Sequence, residues 1–417
     1  MKKMACRKKV GIIGGGASGM AAAITAARLG AEVTILERND RIGKKILVTG
    51  NGKCNLGNYH LTPAEYYGEN PAFIEKALQR FNTEDTIAFF NSMGLLIKER
   101  NGYLYPACEQ AAVVLDVLRY ELQALGVTVI TECKINSVAK NGKTGKIVVS
   151  DGVKQYHYDA VVLACGSKAA PKTGSDGSGY KLAKQLGHHI VPTVPALVQL
   201  KCREDYFKAV AGVRADAVIK IYDKGKCVAK ERGELQLTEY GISGIPVFQI
   251  SRVANYILRD NSEVLAEINF LPDMSEDTYK KFCEERRRTQ KGRTAEEFFT
   301  GMLHKKIMAL FLKMAGIKGN IPISEAEEEK MQQVFALCKK FRVHINGSNP
   351  YDNAQVCAGG VDTMELTEDM ESCKMPGVFL AGELLDVDGK CGGYNLQWAW
   401  SSGTLAGRAA ASGDIKG

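Results

Sequence analysis

Three glycines near the start of the chain have the spacing of a phosphate-binding loop, Gly-x-Gly-x-x-Gly, at Gly14, Gly16 and Gly19. The first glycine permits a tight turn, the second lets the backbone approach a pyrophosphate, and the third allows a helix to pack closely on a strand. The helix that follows opens with Ala17 and Ser18, where free N–H groups can bind phosphate oxygens. The pattern predicts a dinucleotide site.

An acid lies at the end of the next predicted strand. Glu37 follows Gly19 after seventeen intervening residues. Its carboxylate can accept hydrogen bonds from both hydroxyls of a ribose, and its charge would repel a 2′-phosphate. The pattern therefore argues against NADP at this site.

The segment after this acid favours FAD over NAD, because flavoproteins commonly place a basic, glycine-containing stretch here. Its basic residues that we predict to contact the cofactor are Arg38, Lys44 and Lys45. A loop too rich in glycine and asparagine to be core comes next, and such a loop can wrap a cofactor with backbone and amide donors. Its predicted cofactor residues are Thr49, Gly50, Gly52, Lys53, Cys54 and Asn55.

A second informative stretch lies near the other end of the chain. A strand that ends at Gly382 places Glu383 at the carboxyl end of a sheet, where open α/β folds bind ligands. Gly393 then opens a terminal helix, whose positive end can stabilise negative charge on a reduced flavin. Asp386 and Asp388 raise the alternative of a metal site, but the segment contains no histidine. We predict no metal.

The elements around these residues follow a β-turn-α-β order, which implies a parallel sheet. A later strand at 160–164 ends in a turn that contains Gly166, another predicted cofactor residue. Beyond residue 195, short alternating runs predict an antiparallel sheet or barrel. Charged segments at 294–315 and 324–340 then predict helices.

The predicted fold class is α/β. It has a Rossmann-like FAD-binding domain split by two inserts. The predicted boundaries are 1–193 with 345–417 for the Rossmann-like domain, 194–272 for a β-barrel-like insert and 273–344 for a helical insert.

Composition excludes several protein classes. The 417 residues are 45% hydrophobic and 24% charged, as in ordinary globular proteins, and no apolar run reaches membrane length. The net charge of +8 favours anionic ligands. Twelve cysteines without a CxxC pair indicate neither a metal ribbon nor a disulfide scaffold. The basic start at 1–3 leads into the glycine loop rather than an apolar signal segment, so we expect a cytoplasmic protein.

Five stretches, in order along the chain, resemble the BaiN/YhiN-like flavoproteins, a bacterial group that also includes proteins named aminoacetone oxidase. These stretches are 11–23, 42–58, 171–188, 237–251 and 381–403. The resemblance implies non-covalent FAD whose ADP half is held by the glycine loop, Ser18 and Glu37. It further implies that Lys45, Thr49, Gly52, Cys54 and Asn55 approach the ribityl chain or the ring, and that the far side of the flavin is closed by Glu383, Gly393, Asn395 and Leu396.

The predicted function is FAD-dependent oxidoreduction, with NAD(P)H-linked reduction of an enone-type, bile-acid-like small molecule. No second dinucleotide fingerprint is visible, so a nicotinamide donor would dock transiently over the flavin. One alternative is an aminoacetone-type amine oxidase that produces hydrogen peroxide. The sequence does not indicate an oligomeric state.

A third alternative is an RNA-acting flavoprotein, suggested by the basic run from Arg286 to Arg293. Glutamates flank this run, which favours a solvated helix face over a nucleic-acid site. We therefore expect neither a nucleic-acid nor a membrane partner.

Reduction also needs a proton donor, for which the sequence offers Tyr240 or Tyr394, each with an ordinary packing role as the alternative. Tyr394 and Gly382 are also predicted cofactor residues. His188 follows a helix end, which suggests a cation that interacts with the helix dipole. Cys54 and Cys391 are interpreted as buried, inert thiols.

Overall fold

The computed structural model describes residues 7–260 and 263–412, so the basic start at 1–3 lies outside the described residues. The strands up to the middle of the chain are β1 (Lys9–Ile13), β2 (Glu32–Leu36), β3 (Gly57–Asn58), β4 (Tyr66–Tyr67), β5 (Ile97–Arg100), β6 (Tyr103–Pro106), β7 (Thr128–Ile130), β8 (Ser137–Lys140), β9 (Ile147–Ser150), β10 (Gln155–Tyr158) and β11 (Ala160–Leu163). The later strands are β12 (Val194–Ala196), β13 (Leu200–Cys202), β14 (Arg214–Asp223), β15 (Lys226–Thr238), β16 (Gly241–Ser243), β17 (Val264–Asn269), β18 (Phe341–Ser348), β19 (Val356–Ala358), β20 (Val378–Leu380) and β21 (Asp388–Gly389).

The helices are α1 (Ala17–Arg28), α2 (Pro71–Arg80), α3 (Thr83–Asn91), α4 (Ala111–Ala124), α5 (Ser178–Gln185), α6 (Phe207–Val210), α7 (Ile245–Arg259), α8 (Glu276–Thr289), α9 (Ala295–Phe299), α10 (Lys305–Met314), α11 (Glu328–Lys339) and α12 (Tyr394–Ser412). Among the described residues, no helix combines the length and apolarity needed to cross a membrane. The chain divides into two compact units, one of residues 7–194 with 355–412 and one of 195–354 without its two undescribed residues.

The first unit is built on a five-stranded parallel sheet in the order β20-β11-β1-β2-β7. Its central strands are short apolar runs that are buried on both faces, as parallel strands covered by helices must be. The parallel pairs align Val10 with both Val33 and Ala160. Three small antiparallel sheets accompany it in the orders β10-β9-β8, β3-β6-β5 and β21-β4. The predicted α/β class with a Rossmann-like parallel sheet is confirmed.

Helices α1 and α12 pack against each other at unusually short range. A Cβ atom added at Gly403 would lie 2.3 Å from the Ser18 carbonyl oxygen, and one at Gly407 would lie 2.2 Å from the Ala22 carbonyl oxygen. Two glycines, one turn apart on α12, therefore let the C-terminal helix lie directly on the helix of the glycine loop.

The second unit contains a closed barrel in the order β13-β16-β15-β14-β17-β18. The barrel strands alternate buried and exposed side chains, and their buried residues share one hydrophobic cluster with the helices of the unit. That cluster includes Phe311 of α10 and Phe341 of β18. Strand β18 runs across the predicted boundary at 344/345, because the chain returns to complete the barrel after its helices.

The helical stretch predicted at 294–315 consists of two helices, α9 and α10, separated by residues 300–304. A capping box starts the first helix, since the Thr294 hydroxyl accepts from Glu297 N–H and the Glu297 carboxylate accepts from Thr294 N–H. The second starts at His304, whose Nδ1 accepts a hydrogen bond from Lys306 N–H at 3.2 Å.

The interpretation of His188 as a cation at a helix end is wrong. Its side chain is fully buried, with Nε2 2.7 Å from Ser372 Oγ and Nδ1 3.0 Å from Glu365 Oε2. Ser372 Oγ already accepts from the N–H groups of Lys374 and Met375, so its own hydrogen is available for Nε2. Burial lowers the pKa of His188, which favours the neutral ring.

Candidate cofactor site

A groove in the first unit opens at the carboxyl ends of β1, β2 and β11. It encloses about 1240 Å³, including solvent at its mouth, and is lined by residues of the glycine loop, the segment after β2 and the start of α12. Four cations, Arg38, Lys44, Lys45 and Lys134, line it with two acids, Glu37 and Glu383. Three of these cations already have acidic partners, since Arg38 pairs with Asp176, Lys44 with Asp40 and Lys45 with Glu383.

The glycine loop has the geometry that each glycine was predicted to provide. Gly14 has φ +106°, and an added Cβ would lie 2.4 Å from the Ala164 carbonyl oxygen. At Gly19 the added Cβ would lie 1.9 Å from the Gly14 carbonyl oxygen, so only glycine lets the helix pack this closely on the loop. At Gly16 the added Cβ would meet nothing within 4 Å. The loop is therefore crowded on its protein side and open at Gly16.

Glu37 holds this loop in place. Its Oε2 accepts a hydrogen bond from Gly15 N–H and its Oε1 accepts one from Asn39 N–H, both at 2.8 Å. The side chain is buried and lines the groove. Each carboxylate oxygen can accept a further hydrogen bond, so the acid can fix the loop and bind a ligand hydroxyl at the same time.

Lys45 and Glu383, which are far apart in the sequence, meet in the groove. Lys45 Nζ lies 2.6 Å from Glu383 Oε2 and donates to the Ala169 carbonyl oxygen at 3.3 Å. The other carboxylate oxygen of Glu383 accepts from Cys357 N–H at 3.0 Å. The pair connects the basic segment after β2 to the turn after β20.

The residues of the groove fit the ADP half of FAD. Helix α1 has no side-chain cap at its N-terminus, so its first N–H groups can bind phosphate oxygens. Gly16 leaves open space for a pyrophosphate, and Glu37 retains acceptor capacity for a ribose.

Many of the residues predicted to bind the cofactor lie along the groove. Those that line it are Gly14, Gly16, Ala17, Ser18, Glu37, Arg38, Lys44, Lys45, Thr49, Gly166, Glu383, Asn395 and Leu396. Other predicted residues do not line the groove but pack against the residues that do. Gly19 packs on the loop, and an added Cβ at Gly382 would lie 2.3 Å from Ser18 Oγ.

The loop from Thr49 to Asn55 reaches the groove only through Thr49. Gly50 and Gly52 have positive φ, and Lys53 forms an ion pair with Glu109 at 2.7 Å. Burial raises the pKa of the Cys54 thiol to about 12, so this cysteine is inert at neutral pH. The pKa of Cys391 is also raised to about 12 by burial.

The start of α12 is held by its own side chains. Asn395 Oδ1 accepts from Gly389 N–H at 2.8 Å, and its Nδ2 donates to the Gly389 carbonyl oxygen at 2.7 Å. Gly393 has φ +93°, and an added Cβ would lie 2.7 Å from Asn55 Oδ1. The two predicted segments, 49–55 and 389–396, therefore meet here.

The two candidate proton donors have different surroundings. Tyr394 is buried, its hydroxyl donates to the His60 carbonyl oxygen at 3.4 Å, and burial raises its pKa to about 12. Tyr240, in the second unit, is 40% exposed, and its hydroxyl accepts from Asn349 Nδ2 at 3.0 Å. Of these two candidates, only Tyr240 has an exposed side chain.

Sequence patterns missed part of the groove wall. Cys133 and Lys134 follow β7, and Thr173, Gly174 and Ser178 surround the start of α5. The available signal for Cys133 and Lys134 was their position after a parallel strand, where ligands bind in such sheets. The segment at 173–178 carries no such signal, because it does not follow a strand directly.

The basic run in the second unit is largely used within its own fold. Arg286 donates to the carbonyl oxygens of Phe298 and Thr300 at 2.6 and 2.7 Å, and Arg288 pairs with Glu285 at 2.6 Å. Arg287 pairs with Glu328 at 2.5 Å. In the described part of the chain, no group of three or more metal-binding side chains is arranged to hold an ion.

Comparison with known proteins places the whole chain in one family. Residues 8–409 match the family described as HI0933-like protein Rossmann domain. A 3-dehydro-bile acid delta(4,6)-reductase from Clostridium scindens is 46% identical over 97% of this chain and 99% of its own. A ribosomal RNA dihydrouridine synthase from Escherichia coli is 32% identical over 94% of this chain and 95% of its own. The chain is a flavoprotein oxidoreductase that belongs to the HI0933-like Rossmann family.

Proposed function

We propose that this oxidoreductase binds FAD non-covalently in the groove and uses NAD(P)H to reduce a carbon–carbon double bond conjugated to a carbonyl, in a bile-acid-like small molecule. The 46% identity to a bile-acid reductase, spread over nearly the whole of both chains, carries this proposal. The geometry of Glu37 and the glycine loop supports it, because these residues fit the ADP half of the cofactor.

FAD, when bound, supplies reversible hydride chemistry at its ring system. The chain would hold the pyrophosphate at the start of α1 and the ribose at Glu37. The charge of Lys45 is fixed near the carboxyl ends of the strands by Glu383. Reduction of a conjugated double bond also needs one proton. We assign its delivery to Tyr240, since the hydroxyl of Tyr394 is buried against a carbonyl oxygen.

A second candidate substrate is a uridine of ribosomal RNA, favoured by the 32% identity to a dihydrouridine synthase. The chemistry is closely related, because dihydrouridine formation also saturates a carbon–carbon bond conjugated to a carbonyl. Against it, the arginine run that first suggested RNA is engaged in contacts within its own unit. The bile-acid-like substrate is therefore preferred.

The test is anaerobic stopped-flow spectroscopy of the purified protein. We expect flavin absorbance that is bleached by NADH or NADPH and restored on mixing with a 3-oxo steroid acid carrying a conjugated double bond. The saturated analogue is the matched control and should restore nothing. Restoration by ribosomal RNA transcripts but not by the steroid acid would favour the RNA substrate.

Two further outcomes contradict the proposal. A colourless protein that gains no flavin absorbance with added FAD would overturn the cofactor. No bleaching by either nicotinamide, together with bleaching by aminoacetone and release of peroxide in air, would make the protein an amine oxidase.

A further inference from the structure

The segment after β2 is joined to the loop before α5 by three polar contacts, and both segments line the groove. Arg38 Nη1 forms an ion pair with Asp176 Oδ2. Asn39 Nδ2 donates to the Thr173 carbonyl oxygen at 3.2 Å. Lys45 Nζ donates to the Ala169 carbonyl oxygen at 3.3 Å. All three donors come from the segment that follows Glu37.

The loop before α5 is held together by its own hydrogen bonds. Ser167 and Ser175 are buried and bonded to each other, with Ser167 N–H donating to Ser175 Oγ at 2.8 Å. Gly177 N–H donates to the Ser167 carbonyl oxygen at 2.8 Å. Gly174 has φ +107°, and an added Cβ would lie 2.2 Å from Asn39 Nδ2, so the close approach of the two segments depends on a glycine.

Asp176 has two roles. Its Oδ2 faces Arg38, while its Oδ1 accepts from Ser178 N–H at 3.0 Å at the start of α5. Although burial acts to raise the pKa of Asp176, the bonds with Arg38 and Ser178 lower it to about 2, so the carboxylate is charged at physiological pH. Both side chains are about one-third exposed, at 33% and 30%, so salt can still screen the pair.

We infer that the Arg38–Asp176 pair is a clasp that holds the two groove walls together beside Glu37 and slows release of the dinucleotide. Arg38 is then a positioning residue whose charge is committed to Asp176. The inference rests on the proposed binding of FAD. It adds Asp176, which does not line the groove, to the residues that control cofactor retention.

The test measures FAD release from the holoprotein by rapid desalting and visible absorbance. Asp176→Asn keeps an oxygen for Ser178 N–H but removes the charge and replaces the oxygen that faces Arg38 with an amide nitrogen. Arg38→Gln removes the other partner. We expect each variant to release FAD about two- to fivefold faster. The double variant should be no faster than either single variant. Added salt should speed release from the wild type and have little effect on the variants.

Asp369→Asn is the matched control, because it breaks the 2.6 Å ion pair with Arg80 elsewhere in the same unit. Its release rate should equal that of the wild type. Single variants that match this control, or a double variant whose effect is the product of the two, would overturn the clasp. If Asp176→Asn does not fold, the clasp is tested by the rate of FAD release from Arg38→Gln and by the salt dependence of release from the wild type. A wild type that binds no FAD would overturn the proposed function as well, whereas normal FAD content with unchanged release overturns the clasp alone.

Discussion

Gly16 and Gly19 lie three residues apart in one loop, yet a methyl group would meet opposite surroundings at the two positions. At Gly16 it would enter open space with an ordinary φ of −81°, and at Gly19 it would lie 1.9 Å from a carbonyl oxygen. We expect Gly16→Ala to fold normally and lose FAD, because the methyl group occupies the space of the pyrophosphate. Gly19→Ala should lower the free energy of unfolding by about 1–3 kcal/mol.

The measurement is urea unfolding of each apoprotein beside titration with FAD, so each variant controls for the other. Equal losses of apoprotein stability in the two variants would show that Gly16 is a packing glycine and not part of the ligand site.

Tyr240 gives a second prediction for a single residue. If its hydroxyl delivers the proton, Tyr240→Phe should slow reoxidation of the reduced flavin by the enone at least about tenfold. Bleaching by the nicotinamide should be unchanged, because that half of the reaction needs no proton from Tyr240. Tyr394→Phe is the comparison variant, since its hydroxyl is committed to the His60 carbonyl oxygen. A selective slowing in Tyr394→Phe would instead assign the proton to that residue.

At the scale of elements, the contact of His188, after α5, with Glu365 and Ser372, before β20, should make the stability of the protein depend on pH. His188 is buried neutral between Ser372 and Glu365, and burial lowers its pKa from the usual 6.5. The unfolded chain therefore binds a proton that the native state does not, and stability should fall as pH decreases below about 6.5, by at most about 1.4 kcal/mol per pH unit. The pKa of Glu365 is also lowered, so protonation of this acid reduces stability further at lower pH.

Urea unfolding at a series of pH values checks this, with His188→Gln as the variant that cannot titrate. Its stability should vary less between about pH 7 and about pH 5 than that of the wild type. His157→Gln, an exposed position on β10, is the control and should keep the wild-type slope. An unchanged slope in His188→Gln would contradict the assignment.

Elements whose signal is local were predictable from the sequence. Strand β11 is an unbroken apolar run, and the glycine loop lies between a strand and a helix, so both were predicted close to their observed bounds. The division between α9 and α10 was missed because the apolar pattern continues through it, and the capping residues decide the boundary. The groove wall at 173–178 was missed because tertiary contacts to Arg38 and Asn39 place it there.

At the scale of the whole molecule, the second unit has its own core. Its barrel and helices share one hydrophobic cluster, and its residues are contiguous in sequence. We expect a fragment of residues 195–354 to fold alone, with a cooperative transition by circular dichroism during urea unfolding. It should bind no FAD, since every residue that lines the groove lies in the first unit.

Phe311→Ala in that fragment tests whether its core is specifically packed. This substitution should lower the free energy of unfolding of the fragment by about 3–5 kcal/mol. A gradual, non-cooperative loss of signal in the unsubstituted fragment would show that this unit depends on the rest of the chain.

The close packing of α12 on α1 has a consequence for how a cell makes this protein. The glycine loop leaves the ribosome before the barrel, and the helix that completes its groove leaves after the barrel. A nascent chain that stops before Tyr394 lacks the part of the wall formed by Asn395 and Trp398. Loading with FAD should therefore follow synthesis of α12, so a shortage of flavin during growth would leave apoprotein in which both units have already been made.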